Sequence, residues 1–209
     1  MATHKNIVSN IFLRLLVVVT VMAALVAIPV WAGTGNGAGE GITPLSVEEI
    51  SYLNFVREEE KLARDVYLLM YGTYGAKIFT QIAVSEQQHM DTMLKMLDKY
   101  GLPDPASAES GVFNNGELQA LYDFLVKWGD ESYVEGLKVG VLIEETDIDD
   151  IGQAILFTDH VDLVTAYEHL IEGSKSHVAA FCETLEKQGV TCDTQVIDQT
   201  LFDAIKDVY

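Results

Sequence analysis

Basic residues are scarce in this chain of 209 residues: 13 lysines and arginines face 32 aspartates and glutamates, a formal net charge of −19. That balance excludes a nucleic-acid partner, because phosphate backbones are held by clustered lysine and arginine. Cysteine is scarcer still, and two residues are too few for a disulfide scaffold. The sequence holds no Gly-rich phosphate loop, hydrolase nucleophile motif or basic aromatic patch. No stretch alternates with the period of two that marks a half-buried strand, and no internal repeat is present. The excess of acid suits solubility and attracts cations, but most of it must lie on solvated faces and is no argument for a metal site.

The first 32 residues stand apart. They carry Lys5 and Arg14, no acid, and an apolar run from Leu15 to Val30. Val30-Trp31-Ala32 closes the run where a signal peptidase would cut, so residues 1–32 read as a secretory signal cleaved after Ala32. About 18 apolar residues also just span a bilayer, so an uncleaved membrane anchor is the other reading. Residues 33–45 are Gly-rich and read as flexible linker. Either way the domain of residues 46–209 is expected outside the cytoplasm, in the periplasm, at the cell surface or in the medium.

What remains is helical. Ser46-Val47-Glu48-Glu49 is a capping box opening a first helix to about Tyr71, with Gly72 to Gly75 as a turn. A second helix runs to about Tyr100 and is stopped by Gly101 and Pro103. Residues 101–115 read as loop, and Gly116 to Trp128 as a short amphipathic helix. A third long helix is expected from near Ser132 to about Phe157. A fourth, capped by Thr158 or Asp159, runs to about Lys187 and stops at Gly189. A last short helix is expected over Gln195 to Val208. The predicted fold is all-α, a four-helix bundle with a long connection between the second and third long helices.

Each long helix carries a seam stepping by three and four residues, apolar at both ends and polar in the middle. The seams are Leu53, Val56, Glu60, Ala63, Tyr67, Met70; Phe79, Ile82, Glu86, His89, Met93, Met96; Leu137, Val141, Glu144, Ile148, Ile151, Ile155; and Leu163, Tyr167, Leu170, Ser174, His177, Phe181. Glu60 and Glu86 lie about 13 residues before and after the first turn, which puts both roughly 20 Å from it. Similar counting places His89, Glu144 and His177 at the same height. A carboxylate buried in a core seam is costly unless it is paired or bound to a metal. Three Glu and two His in one layer therefore predict a metal site at Glu60, Glu86, His89, Glu144 and His177. Glu86-Gln87-Gln88-His89 puts two ligand types on one helix face, and mixed carboxylate and imidazole ligands suit iron, manganese or zinc.

The run Glu60-Lys61-Leu62-Ala63-Arg64-Asp65-Val66-Tyr67, the Glu86/His89 pair, Glu144 and His177 resemble the helix motifs of ferritin-like and rubrerythrin-like proteins. More narrowly, the runs Arg57 to Tyr67, Ser85 to Asp91 and Ile143 to Ile148 resemble the DUF2202 group of that superfamily. The resemblance covers about residues 46 to 187. It implies a ferritin-like bundle and metal binding, iron first, and for the wider superfamily oxidation of Fe(II) or reduction of peroxide. One position departs from the pattern: Ser174 stands where the superfamily has a Glu three residues before His177. Asp147 or Glu145 could replace that carboxylate, or the site could hold one metal tightly and a second weakly or not at all. Whether the protein is an oxidoreductase stays open on this ground. The alternative is a non-catalytic metal-binding, structural or interaction bundle of the cell envelope.

Tyr67 and Tyr167 are expected to hydrogen-bond a ligand carboxylate, and Ser174 to stand beside the ligands. His160 and His169 fall off the layer, and the methionines of the seams read as core packing. In an exported chain Cys182 and Cys192 are expected to form a disulfide pinning the C-terminal tail to the bundle. Metal ions are the expected partners, a homodimer is left open, and a membrane enters only if the signal is retained.

Overall fold

Six helices and no strand make up the described part of the chain, residues 43–209 of a computed structural model. The secretory signal and most of the linker lie outside the described residues. Helix α1 spans Val47–Tyr74, α2 Lys77–Lys99, α3 Gly116–Gly129, α4 Tyr133–Leu156, α5 Val161–Lys187 and α6 Gln199–Val208. Residues 45–209 form one unit. Among the described residues no helix is long and apolar enough to cross a membrane.

The ends follow local chemistry. Ser46 Oγ accepts from the Glu49 N–H while Glu49 Oε2 accepts from the Ser46 N–H, the reciprocal capping box the sequence predicts. Gly75 ends α1 in the left-handed region at φ 65°, a conformation glycine adopts without strain. Helix α1 runs three residues past the expected Tyr71, since Gly72 is tolerated inside it.

Two expected ends move. His160, not Thr158 or Asp159, is the N-cap of α5 and has no side-chain capping bond. Thr158 Oγ1 instead accepts from the His160 N–H and donates to Glu49 Oε1, tying the α4–α5 turn to the start of α1. The last helix begins at Gln199 rather than Gln195. The backbone N–H groups of Gln195, Val196 and Ile197 are used elsewhere, all donating to the Glu145 carboxylate.

Helix α1 packs along α2 and α4 along α5, while α1 also packs on α4 and α2 on α5. The short α1–α2 and α4–α5 turns make those neighbours antiparallel. The long α2–α4 connection carries α3, which lies against α1 and α4. All four seams face inward. Every residue in them is buried except Met96 and Ile155, which are half-buried at one end. One end of the core is an aliphatic cluster around Leu53, Leu97, Ile151 and Leu163. The other is aromatic, with Tyr67, Phe79 and Phe181 in mutual ring contact and Tyr74 and Tyr133 against Phe79. The polar layer lies between these two apolar ends. Cys182 and Cys192 are bonded, fastening the segment after α5 to that helix.

Candidate metal centre

The five predicted ligands meet. Glu60 from α1, Glu86 and His89 from α2, Glu144 from α4 and His177 from α5 are all buried. One donor atom each from Glu60, Glu86 and His89 lies within 4.8 Å of the others, and the same holds for Glu86, Glu144 and His177. Glu86 belongs to both groups. His89 Nδ1 stands 2.8 Å from Glu86 Oε2 and 3.2 Å from Glu60 Oε2. His177 Nδ1 stands 2.8 Å from Glu86 Oε1 and 3.1 Å from Glu144 Oε2. The two ring centroids are 5.7 Å apart, and the two Nδ1 atoms approach different oxygens of Glu86.

His89 Nδ1 shares its hydrogen bond between Glu86 Oε2 and Glu60 Oε2, while His177 Nδ1, near two carboxylates, is aligned on Glu144 Oε2 alone. Glu60 Oε1 has no hydrogen-bond partner, and Glu86 Oε1 lacks an aligned one despite its nearness to His177. Buried carboxylate oxygens left bare this way carry a desolvation penalty that a cation would remove. Two imidazoles and three carboxylates converging on two points are a donor set suited to iron, manganese or zinc. The residues fit two metal ions, each with three protein ligands and Glu86 shared.

Without metal the cluster is held by protons. Burial alone would lower the His89 pKa, but Glu60 and Glu86 raise it to about 11. Burial likewise opposes the charge on His177, and Glu144 and Glu86 lift it to about 10. Glu86 is pushed up by burial and held down to about 2 by hydrogen bonds and charge from His177 and His89. Glu60 is carried to about 8, burial outweighing the help of His89. Glu144 is raised by burial and by the charge of Glu86.

The neighbours of the layer divide. Tyr67 donates to Glu144 Oε1 at 2.6 Å, fixing that carboxylate with Oε2 toward His177, an outer contact that orients a ligand. Ser174 is fully buried and donates to the Leu170 carbonyl, so its hydroxyl proton is spent on its own helix. Tyr167 departs from expectation: it packs in the aliphatic end cluster, and its hydroxyl has no partner. Glu145 departs too. Its Oε2 accepts from three successive backbone N–H groups and from Thr194 Oγ1, anchoring the segment after Cys192. Asp147 is buried, and neither of its oxygens has a partner. The strongest charges on it come from Glu59, Glu60, Glu144 and Glu86, in that order, and with burial they push its pKa well up.

Two contributors escaped the periodic reading. Glu59, beside the ligand Glu60, is itself buried and faces Asp150. Gly173 passes so close to His89 that a Cβ there would stand 2.5 Å from the ring Nε2 and 2.6 Å from Cε1. The small pair Gly173-Ser174 is the trace this leaves in the sequence: the imidazole of His89 takes the room beside α5. Gly173→Ala is expected to push His89 off the cluster and weaken metal binding at the Glu60–Glu86–His89 position at least tenfold. The His177 position should be retained. Metal titration read by calorimetry would show one step shifted and one unchanged; two unchanged steps would contradict the packing argument.

These observations define a class: an all-helical protein whose core buries a carboxylate–imidazole cluster able to hold metal ions. The family model described as "Uncharacterized protein domain (DUF2202)" matches residues 49–208, and the chain belongs to that family. Uncharacterized protein MJ0754 of Methanocaldococcus jannaschii is 45% identical over 163 residues, covering 78% of this chain and 88% of that protein. The crystal structure of hypothetical protein MJ0754 from Methanococcus jannaschii matches with a TM-score of 0.79 at 42% identity, covering 82% of this chain and 99% of that one. The crystal structure of a DUF305 fragment from Deinococcus radiodurans has a TM-score of 0.53 at 12% identity, over 69% of this chain and 99% of that one. This second likeness is one of fold alone.

Proposed function

We propose that this chain is an exported protein of the ferritin-like kind, a four-helix bundle that binds a pair of metal ions, iron first, at Glu60, Glu86, His89, Glu144 and His177. The observation that carries this is the sharing of Glu86 between two tight three-residue groups. A pair of irons so placed would supply oxidation of Fe(II) with reduction of O2 or peroxide. The chain's own part is to hold and to shield. Glu86 joins the two positions, Tyr67 aims Glu144, and the two apolar ends of the core exclude water. Ser174 brings no carboxylate, which leaves the Glu144–His177 position a ligand short of the superfamily pattern. Export is supported by the sequence of the first 32 residues and by the Cys182–Cys192 bond, a linkage that lasts in oxidising compartments.

The test is to load the protein with Fe(II) without oxygen, count iron per chain, and then follow O2 uptake. Two irons with rapid uptake support the full reading; two irons without uptake leave a binding protein. Proton release is a second readout. Both imidazoles have folded-state pKa values raised above the unfolded value near 6.5. Their ion pairs therefore stabilise the metal-free fold fully below about pH 6.5, and the contribution is lost as pH rises through about 10 to 11. A metal needs the bare Nδ1, so loading at pH 7 is expected to expel protons and tighten with rising pH. Calorimetry in buffers of different ionisation enthalpy measures the count, and zero released protons would sink ligation by His89 and His177.

One observation favours a second reading. Glu86 Oε2 already has a hydrogen bond from His89 without any metal, and His177 and His89 hold the carboxylate down to about pKa 2 against its burial. A polar layer of that kind can set the register of a helical bundle by itself. It predicts a melting temperature indifferent to added metal.

A further inference from the structure

Three imidazoles stand in file from the surface to the centre. His169 on α5 is exposed, and its ring meets the His89 ring edge-on with centroids 6.4 Å apart. His89 in turn lies 5.7 Å from His177. His169, Gly173 and His177 step by four along α5 and so share one face of that helix. Gly173, the middle one, has no side chain and is half-exposed, and the Nε2 edge of His89 lies against it. The Nδ1 of the same ring faces Glu60 and Glu86. On this side the centre also comes nearest to solvent: His89 and His177 are 3% and 8% exposed, against 0% for Glu60, Glu86 and Glu144. Two other seams of the bundle are crossed. A hydrogen bond from Arg64 to Gln87 joins α1 to α2, and the segment around Cys192, bonded to Cys182 on α5 and to Glu145 on α4, spans those two helices.

We propose that His169 and the Nε2 edge of His89 form an entry position at the α2–α5 seam, where a divalent transition-metal ion first binds on its way to the centre. This rests on the two-metal reading above. Imidazole takes the same ions as the centre does, iron, manganese or zinc. A surface ligand lets an arriving ion exchange its waters for protein donors one at a time, rather than shed them all before entering an apolar core. His89 joins outside to inside, because one ring presents Nε2 to the seam and Nδ1 to the carboxylates. A turn of that ring alone carries an ion from one position to the other, and at Gly173 no side chain stands in its way. His169 is thus a binding residue outside the ligand layer, used during loading and left behind once the ion is seated.

Loading of the metal-free protein with Co(II), followed by stopped-flow absorbance of the bound ion, tests this, with ions per chain counted at the end. His169→Ala is expected to slow loading roughly tenfold and to leave the final count and the Kd at their wild-type values. A route serves both directions, so release of Co(II) to excess chelator should slow by the same factor. His169→Glu returns a donor to the position and should recover most of the rate. Asp150→Asn, half-exposed where α4 faces Glu59 of α1, should load as wild type does. A wild-type loading rate in His169→Ala would overturn the proposal, and with an unchanged ion count it would leave the two-metal centre standing. Slow loading in Asp150→Asn alone would also overturn it, moving the entry to the α1–α4 seam. So would a final count one ion short in His169→Ala, which would make His169 a resident ligand. A wild type that binds no Co(II) would remove the centre and its entry together.

Discussion

Glu86→Gln is expected to abolish stoichiometric binding at both positions of the centre, whereas His89→Ala and His177→Ala each remove one. The asymmetry follows from the shared oxygens. Glu86 Oε2 faces His89 and Oε1 faces His177, so no other single side chain contributes to both groups. A three-ligand protein site that binds with about 12 kcal/mol loses about a third of that when one anionic ligand is neutralised, roughly a thousandfold in affinity. For Glu86 that loss falls on two ions together. Metal-free stability should fall as well, because two imidazolium rings lose the carboxylate between them. Breaking a buried pair in this way costs about 3–5 kcal/mol. Isothermal titration with Zn(II) and a denaturant melt of the same sample give both numbers. A variant that still binds two ions would refute the shared-ligand arrangement. A variant that is less stable, beside a wild type that ignores metal, would establish the purely structural layer.

The layer was legible in the sequence because a bundle core repeats in a simple way. An inward seam steps by three and four residues, and charged residues interrupting it at one height stand out against Leu, Val and Phe. Glu60, Glu86, His89, Glu144 and His177 were all found on that basis. The same rule fails where a helix is covered on more than one side. Helix α4 is buried at Glu144, Glu145, Thr146 and Asp147 in succession, since α1, α5 and the segment after Cys192 all lie against it. Period alone could not say that Glu145 turns to the backbone of residues 195–197 while Asp147 stays bare. Tyr167 shows the reverse limit. Its place in a seam was right, but the height of its hydroxyl was not, because that depends on side-chain direction along the helix rather than on spacing.

The acidic run on α1 carries the same lesson to its largest consequence for stability. Glu58, Glu59 and Glu60 are all buried, and each goes elsewhere: Glu58 accepts from the N–H groups of Asn114 and Asn115, Glu59 faces Asp150, and Glu60 joins the centre. Lys61 and Asp65 then form an ion pair of 2.6 Å with both side chains fully buried. Asp65 also accepts from Arg64 and from the Gly111 N–H, and Lys61 donates to the Val112 carbonyl and sits over the Phe113 ring. Arg57, Glu58, Lys61 and Asp65 of the Arg57 to Tyr67 motif therefore clamp the long α2–α4 connection onto α1, while Glu60 joins the polar layer and Tyr67 holds the Glu144 carboxylate. Asp65→Ala strands the Lys61 ammonium in the core and is expected to cost about 3–5 kcal/mol. Lys61→Met/Asp65→Leu removes both charges, and although the Gly111 N–H loses its acceptor, the pair should regain at least about 2 kcal/mol of that loss. Urea midpoints of wild type, single and double variants measure this, with iron per chain as the control. Iron stoichiometry should stay at the wild-type value wherever the variant is folded. If Asp65→Ala kept its stability and lost its metal, the motif would belong to the centre and not to the clamp.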